Sequence, residues 1–131
     1  MSPRYFSVEE ASSLLPRLTE ILLAMQARQR ELDGLRRQLV EATAQAAGNG
    51  HLLEQDLAQK RTAVEEAASA LSDLVREVND LGCELKGIEE GLIDFRAMLE
   101  GREVYLCWRL GEERIAFWHD LDAGFAGRQP L

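Results

Sequence analysis

Two heptad repeats of nearly equal length occupy most of the first 81 residues. In the first, mainly apolar residues recur at seven-residue intervals from Leu18 to Ala46, and a second set follows three residues after each, with one charged intrusion. In the second, the same pattern runs from Leu53 to Leu81. A Gly-Asn-Gly segment at 48–50 separates the repeats and predicts a turn. Two arms of roughly 45 Å, joined in this way, predict a long antiparallel coiled-coil-like helical hairpin.

The start of the chain carries a helix-start signal followed by a proline. Ser7 and Glu10 have the spacing of a capping box, which predicts that a helix begins at Val8. Pro16 lacks an amide proton and clashes with the preceding turn of a helix. The helix therefore either kinks at Pro16 or ends near Leu14, with a new helix starting there. The second alternative is favoured, because proline is well tolerated in a first helical turn.

The heptad spacing ends at Gly82, and β-strand patterns follow it. A clean period-two alternation at 104–110, a Gly-Glu pair at 111–112 and a return strand at 114–118 predict a hairpin with a two-residue type II′ loop. Weaker strands are predicted at 83–86 and 91–95. The tail from residue 119 to 131 is predicted to be an ordered coil laid across the domain.

These elements together predict an α+β protein with a single domain, residues 1–131. Residues 1–81 form the helical hairpin with its short N-terminal helix. Residues 82–131 form a small antiparallel β-meander of three or four strands and the C-terminal tail. The length of 131 residues is within the usual range for one domain.

The charge and hydropathy of the chain argue against two classes of partner. The net charge is -8 and no basic tail is present, whereas nucleic acids and anionic membrane surfaces select clustered positive charge. The longest strictly apolar run, Ile21 to Met25, is far shorter than a membrane span, and no signal-peptide core follows the N-terminus. We therefore expect a cytoplasmic protein with reduced cysteines, binding neither nucleic acid nor membrane.

Short sequence segments at both ends of the chain carry a resemblance to a known family. They are, in chain order, Phe-Ser-Val-Glu-Glu-Ala at 6–11, Leu-Leu-Pro at 14–16, Gly-Leu-Ile-Asp-Phe at 91–95, Leu-Cys-Trp-Arg-Leu-Gly-Glu at 106–112, Phe-Trp-His at 117–119 and Gly-Phe-Ala-Gly-Arg-Gln-Pro at 124–130. The chain resembles an uncharacterised bacterial family, a domain of unknown function. The resemblance supports the architecture and implies no activity.

Candidate ligand-binding residues lie in the C-terminal third, and they are Asp94, Trp108, Trp118, His119 and Arg128. A histidine near a carboxylate can act as a tuned base, and two tryptophans can form a stacking surface, although tryptophans in strands more often belong to a core. Such a site requires His119 and Arg128 to converge on one pocket with a partly exposed tryptophan.

Ion pairs are expected for two of these candidates. Asp94 either faces solvent or, if it is buried, needs an arginine partner, for which the candidates are Arg109, Arg114 and Arg128. The rigid fork of Arg128 suits a carboxylate, and the expected partners are Asp94, Glu112 and Asp120. This pairing would hold the tail in an ordered conformation.

Metal and nucleophile chemistry have weaker support in the sequence. Cys83, Cys107, His51 and His119 are zinc-ligand types, but their spacing matches no close-pair signature. His51 also lies at the predicted hairpin tip, far from the strands. A Cys107–His119 dyad lacks an identifiable orienting group. We therefore expect no catalytic residue, no metal and no cofactor, and the chain is interpreted as non-enzymatic.

The leading functional interpretation is an interaction or scaffold protein that self-associates through its helical hairpin. A two-helix seam is marginal alone, and a homodimer with a four-helix core would bury its surplus apolar surface. A further, unidentified protein partner is a second expectation. The alternative is a small-ligand-binding protein or enzyme with a site on the C-terminal sheet around Asp94, Trp108, His119 and Arg128.

Overall fold

The computed structural model describes residues 4–46 and 52–131, which form three α-helices, a single 3-10 turn at Phe125–Gly127 and one antiparallel sheet. The helices are α1 (Val8–Ser13), α2 (Leu15–Ala46) and α3 (Leu52–Asp80). The strands, in chain order and in spatial order, are β1 (Glu84–Gly87), β2 (Leu92–Leu99), β3 (Arg102–Arg109), β4 (Phe117–Asp120) and β5 (Gln129–Pro130). The α+β prediction is confirmed, with five strands rather than three or four.

The first helix ends before Pro16 and a second helix begins there, which is the alternative that the sequence favours. The Ser7 hydroxyl accepts a hydrogen bond from the Glu10 amide at 3.0 Å, and the Glu10 carboxylate accepts one from the Ser7 amide at 3.0 Å. The first helix ends at a cap residue, Leu14. Pro16 is the second residue of α2, where its missing amide proton breaks no helical hydrogen bond.

The chain divides into two compact units, of which the smaller comprises residues 24–74. It is made of the heptad-bearing parts of α2 and α3, and its buried residues are Met25, Leu32, Ala42, Leu57 and Ala67. All five belong to the predicted seam. The predicted turn and His51 lie outside the described residues. Among the described helices, none is both long and apolar enough to cross a membrane.

The larger unit comprises residues 4–23 and 75–131, and its core lies on one face of the sheet, here called the inner face. Side chains alternate along each strand, so Ile93 and Phe95 of β2 share this face with Trp108 of β3, and all three are buried. Phe6 packs edge-on against Phe95 with ring centroids 5.3 Å apart. The opposite, outer face carries the polar residues described below.

The connections between strands differ from the prediction in two places. The tight hairpin joins β2 to β3 through Glu100 and Gly101, both with positive φ (53° and 78°). The predicted two-residue loop at Gly111-Glu112 is wrong, because Cys107 pairs with Phe117 and seven residues, 110–116, separate β3 from β4. Glu112 organises this connection: its carboxylate accepts a hydrogen bond from the Arg109 amide at 2.7 Å.

The C-terminal tail is ordered, as predicted, and it adds a fifth strand. Trp118 of β4 pairs with Gln129 of β5, and the Leu131 amide donates a hydrogen bond to the Ala116 carbonyl at 3.0 Å. The segment between β4 and β5 contains the 3-10 turn and crosses the outer face. This path places Phe125 beside the candidate site.

Candidate functional site

Three side chains of different chemistry meet on the outer face of the sheet. The strand register sets Asp94 of β2 opposite Cys107 of β3, and Tyr105 of β3 opposite His119 of β4. Because residues two apart on a strand share a face, Asp94, Cys107 and His119 all project to the same side. Each of the three is only 2% exposed.

The ring of His119 is held by hydrogen bonds at both nitrogens. Nδ1 lies 2.8 Å from the carbonyl oxygen of Asp120, and Nε2 lies 3.0 Å from Oδ2 of Asp94. A carbonyl oxygen can only accept, so Nδ1 carries a proton. The contact between Nε2 and Oδ2 needs one further proton, held by either atom, because two lone pairs would repel each other. Asp94 and His119 therefore share a single proton between them.

Asp94 is the most constrained member of the cluster. Burial raises the pKa of its carboxyl above the ordinary value, while the neighbouring His119, the Cys107 thiol and Lys86 act in the opposite direction. Its second oxygen, Oδ1, is buried and has no hydrogen-bond partner among the residues that the structure describes. A buried carboxylate oxygen without a partner is unusual, since nearly all buried polar atoms are hydrogen-bonded.

Cys107 contributes a protonated thiol rather than a thiolate. Burial, followed by the negative charge of Asp94, raises the pKa of Cys107 to about 12. A thiolate is the nucleophilic form, so the metal-free cluster is not poised for attack by sulfur. One ligand atom from each of Asp94, Cys107 and His119 nevertheless lies within 4.8 Å of the other two. The cluster combines one oxygen, one sulfur and one nitrogen donor.

A pocket of about 270 Å³ opens above these three side chains. Its remaining lining residues are Lys86, Leu92, Tyr105, Leu121, Ala123, Gly124 and Phe125. Tyr105 is fixed in place, because its hydroxyl donates to Glu84 at 2.9 Å and accepts from Arg96 at 3.1 Å. The pocket thus has a polar, buried floor and largely apolar walls.

Two of the five predicted site residues line this pocket, Asp94 and His119. Trp108 and Trp118 lie on the inner face, where Trp108 is 1% exposed and donates from Nε1 to the Glu112 carbonyl at 2.9 Å. The condition that His119 and Arg128 converge on one pocket with a partly exposed tryptophan is therefore not met, because His119 lines the pocket without Arg128 and the tryptophans lie on the other face. The predicted arginine partner for Asp94 is also wrong, because its partner is His119.

Arg128 lies beside the pocket rather than in its lining. Its Nη2 donates to both carboxylate oxygens of Glu112, at 2.9 and 2.7 Å, which confirms one of the three predicted pairings. The guanidinium also stacks on Phe117 and Phe125, with its central carbon 4.0 and 4.6 Å from the ring centroids. Phe125 is a pocket wall, so Arg128 positions the wall that closes the site.

Cys107 is the functional candidate that sequence reasoning left out of the site. As a zinc-ligand type its spacing matches no signature, as a nucleophile with His119 it lacks an orienting group, and its place in the alternating strand favours a small buried side chain. The missing signal was the register of β2 against β3, which sets Cys107 opposite Asp94. The expectation of no metal stays a prediction. Asp94, Cys107 and His119, which are residues of metal-ligating types scattered in the sequence, lie together in this cluster.

Comparison with known families assigns the whole described structure to one group. A family described as "Uncharacterized conserved protein (DUF2203)" matches residues 4–131. The chain belongs to this family. The match includes all of the sheet and the tail, so the Asp94–Cys107–His119 cluster lies within the DUF2203 region. Searches of curated proteins and of solved structures found no match.

Proposed function

We propose that this DUF2203 protein binds a small ligand in the outer-face pocket, and that the ligand brings a positively charged or hydrogen-bond-donating group to Asp94. The observation that carries this proposal is the buried, unpartnered Oδ1 of Asp94, a residue that lines the pocket. Leaving a buried acceptor unsatisfied costs about 1–3 kcal/mol. A ligand that supplies the missing partner recovers this free energy.

The alternative of a purely structural Asp94–His119 pair explains less. Such a pair accounts for Oδ2, for both ring nitrogens and for the burial of the two side chains. It leaves the Asp94 carboxyl with no further partner than the weakly donating Cys107 thiol, and it gives no reason for a pocket directly above a buried polar floor. A binding site accounts for both features.

The pocket also restricts the size and shape of its occupant. At about 270 Å³ it lies just below the ~300 Å³ at which pockets for drug-sized ligands begin. Leu92, Leu121 and Phe125 give it apolar walls that suit a compact apolar body. The proposed ligand is therefore smaller than a drug molecule, with one cationic or donor head.

Small aromatic amines and amidines are suitable probes for this proposal. Their binding is measured by ligand-observed NMR on the wild type, on Asp94→Asn and on the matched control Asp122→Asn, which removes an exposed carboxylate. Asn at 94 preserves the shape and can still bond to His119. We expect Asp94→Asn to weaken binding by about 10-fold or more, and Asp122→Asn to leave it unchanged. Equal binding to all three proteins would contradict the proposal.

A second proposed function is self-association of the helical unit into a homodimer. Its support is the incomplete burial of the seam, where Leu35, Leu39 and Val64 are only half-buried, together with Val40 beside the seam, which is 69% exposed. A second copy of the chain is the occupant that best matches this face, because two hairpins together make a four-helix core.

Light scattering at micromolar concentration tests the homodimer. We expect twice the 14.7 kDa chain mass for the wild type and a shift toward the monomer for Val40→Lys. Met98→Lys is the matched control, because Met98 is also an exposed apolar residue (52%) but lies on the sheet. A wild-type monomer would exclude the dimer.

A further inference from the structure

We infer that Asp94, Cys107 and His119 form a zinc-binding site at the floor of the outer-face pocket, with the fourth coordination position open to the pocket. This inference rests on the proposed function and makes it more specific, because the group that meets Asp94 is then a divalent metal ion.

The positions of the donor atoms suit a tetrahedral ion. Bond lengths of ~2.0–2.3 Å to oxygen, nitrogen and sulfur imply separations of roughly 3.3–3.8 Å between the ligands of a zinc site. In the structure, Nε2 of His119 and Oδ2 of Asp94 are 3.0 Å apart, and one ligand atom from each of the three residues lies within 4.8 Å of the other two. Side-chain rotations that move the donors by about 1 Å or less would complete the coordination.

The histidine is oriented as metal-binding histidines usually are. Nδ1 donates to the backbone carbonyl of Asp120 at 2.8 Å, which fixes the ring plane and leaves Nε2 facing the cluster. Metal-bound histidines almost always direct the other ring nitrogen to a carbonyl or carboxylate in this way.

The unpartnered Oδ1 of Asp94 is an independent indication of a ligand. Asp94 is 2% exposed and lines the pocket, and its buried Oδ1 has no hydrogen-bond partner among the described residues. A zinc ion bound by one aspartate and one thiolate gives a locally neutral, buried centre. That charge balance reduces the cost of removing the ion from water.

Zinc binding can be written with its protons balanced. Bonds form from zinc to Asp94, to Cys107 and to Nε2 of His119. The thiol proton of Cys107 and the proton shared between Asp94 and His119 leave to the buffer, and Nδ1 of His119 keeps its own. A water molecule or a ligand atom from the pocket takes the fourth position, as in zinc sites with three protein ligands.

The mixture of donors selects this class of metal. Magnesium and calcium prefer sites made of oxygen ligands alone, and the softest ions prefer thiolates. Zinc is of intermediate softness and accepts oxygen, nitrogen and sulfur together.

Cobalt substitution of the metal-free full-length protein tests the site with a matched pair of cysteine variants. The chain has two cysteines, both buried, and only Cys107 belongs to the cluster. We expect wild type and Cys83→Ser to bind one Co²⁺ with a thiolate-to-metal charge-transfer band, and Cys107→Ser to lose the band. If Cys107→Ser does not fold, the band in Cys83→Ser is decisive, because Cys107 is then the one remaining thiol.

Zinc affinity, measured by competition with a chromophoric chelator, completes the test. We expect a Kd below about 10 µM for wild type and Cys83→Ser, and a loss of about 100-fold or more for Cys107→Ser and Asp94→Asn. His51→Gln should bind like the wild type. Loss of the cobalt band in Cys83→Ser, or of zinc binding in His51→Gln, would overturn the inference.

The two proposals fail in distinguishable ways. If the wild type binds no zinc but binds an amine or amidine that Asp94→Asn weakens, the pocket is a ligand site and the zinc inference is wrong. If Asp94→Asn weakens the binding of neither zinc nor these probes, both proposals are wrong.

Discussion

Arg128 and Glu112 join the C-terminal tail to the connection between β3 and β4. A single nitrogen of Arg128, Nη2, lies 2.9 and 2.7 Å from the two carboxylate oxygens of Glu112, and the arginine side chain is only 11% exposed. The same guanidinium stacks on Phe125, which forms a wall of the pocket. The contact between these two residues, which are 16 positions apart in sequence, therefore holds the tail over the candidate site.

Replacing Arg128 tests the contribution of this interaction to stability. Arg128→Ala removes two charge-assisted hydrogen bonds and the stacking, and it leaves Glu112 partly buried without its partner. We expect a loss of about 2 kcal/mol in the free energy of unfolding, seen as a fall of roughly 5–10 °C in Tm.

Arg102→Ala is the matched control for this variant. Arg102 also pairs with a carboxylate, Asp120, at 2.8 Å and lies over a tryptophan ring, but its side chain is 60% exposed. Exposed ion pairs contribute little, so the loss should stay below about 1 kcal/mol. Equal Tm values for the two variants would show that the tail does not stabilise the fold.

The helical half of the fold could be predicted because its signals are local. The capping box at Ser7 and the proline at position 16 act within one or two helical turns, and the heptad spacing reports the buried seam directly. The two-residue turn between β2 and β3 was not predicted, because Glu100 adopts positive φ without being glycine or asparagine. Gly101 signals a short connection here, but it does not specify a two-residue turn.

The site could be predicted only in part, because strand register brings its members together. Asp94 and His119 lie 25 residues apart, and their contact depends on β3 pairing with both β2 and β4. Period-two alternation shows which residues share a face along one strand, but not which residues face each other across strands. The sequence therefore favours a buried, structural Cys107, and it groups Trp108 and Trp118 with Asp94 and His119 as site candidates although the tryptophans lie on the opposite face.

The two cysteines should be unreactive in the metal-free native protein. Burial raises the pKa of Cys83 to about 11, and burial together with Asp94 raises that of Cys107 to about 12. At pH 7.5 both are protonated, so we expect reaction with a chromogenic disulfide at least about 100-fold slower than in denaturant. A fast-reacting native thiol that Cys107→Ser abolishes would instead support a Cys107–His119 nucleophile.

Gly91, immediately before β2, should not tolerate a side chain. Its φ is 68°, and a Cβ there would lie 2.6 Å from Cβ of Leu110. Gly101→Ala is the matched control, because Gly101 has φ of 78° but no heavy atom within 4 Å of an added Cβ. We expect Gly101→Ala to cost about 1–2 kcal/mol from backbone strain alone, and Gly91→Ala roughly 2–4 kcal/mol because the clash adds to it. Chemical denaturation measures the free energy of unfolding of both variants. Equal losses would show that the structure relieves the clash with Leu110 without losing stability.

The central claim, that Asp94, Cys107 and His119 together form a zinc-binding cluster, is tested most directly by NMR of the histidine rings. The chain has two histidines, so long-range proton–nitrogen spectra of labelled protein resolve His119 from His51. On adding one equivalent of zinc, we predict a large change in the Nε2 resonance of His119, a retained proton on Nδ1 and an unchanged ring for His51. An unchanged His119 ring, or a response confined to His51, would contradict the account.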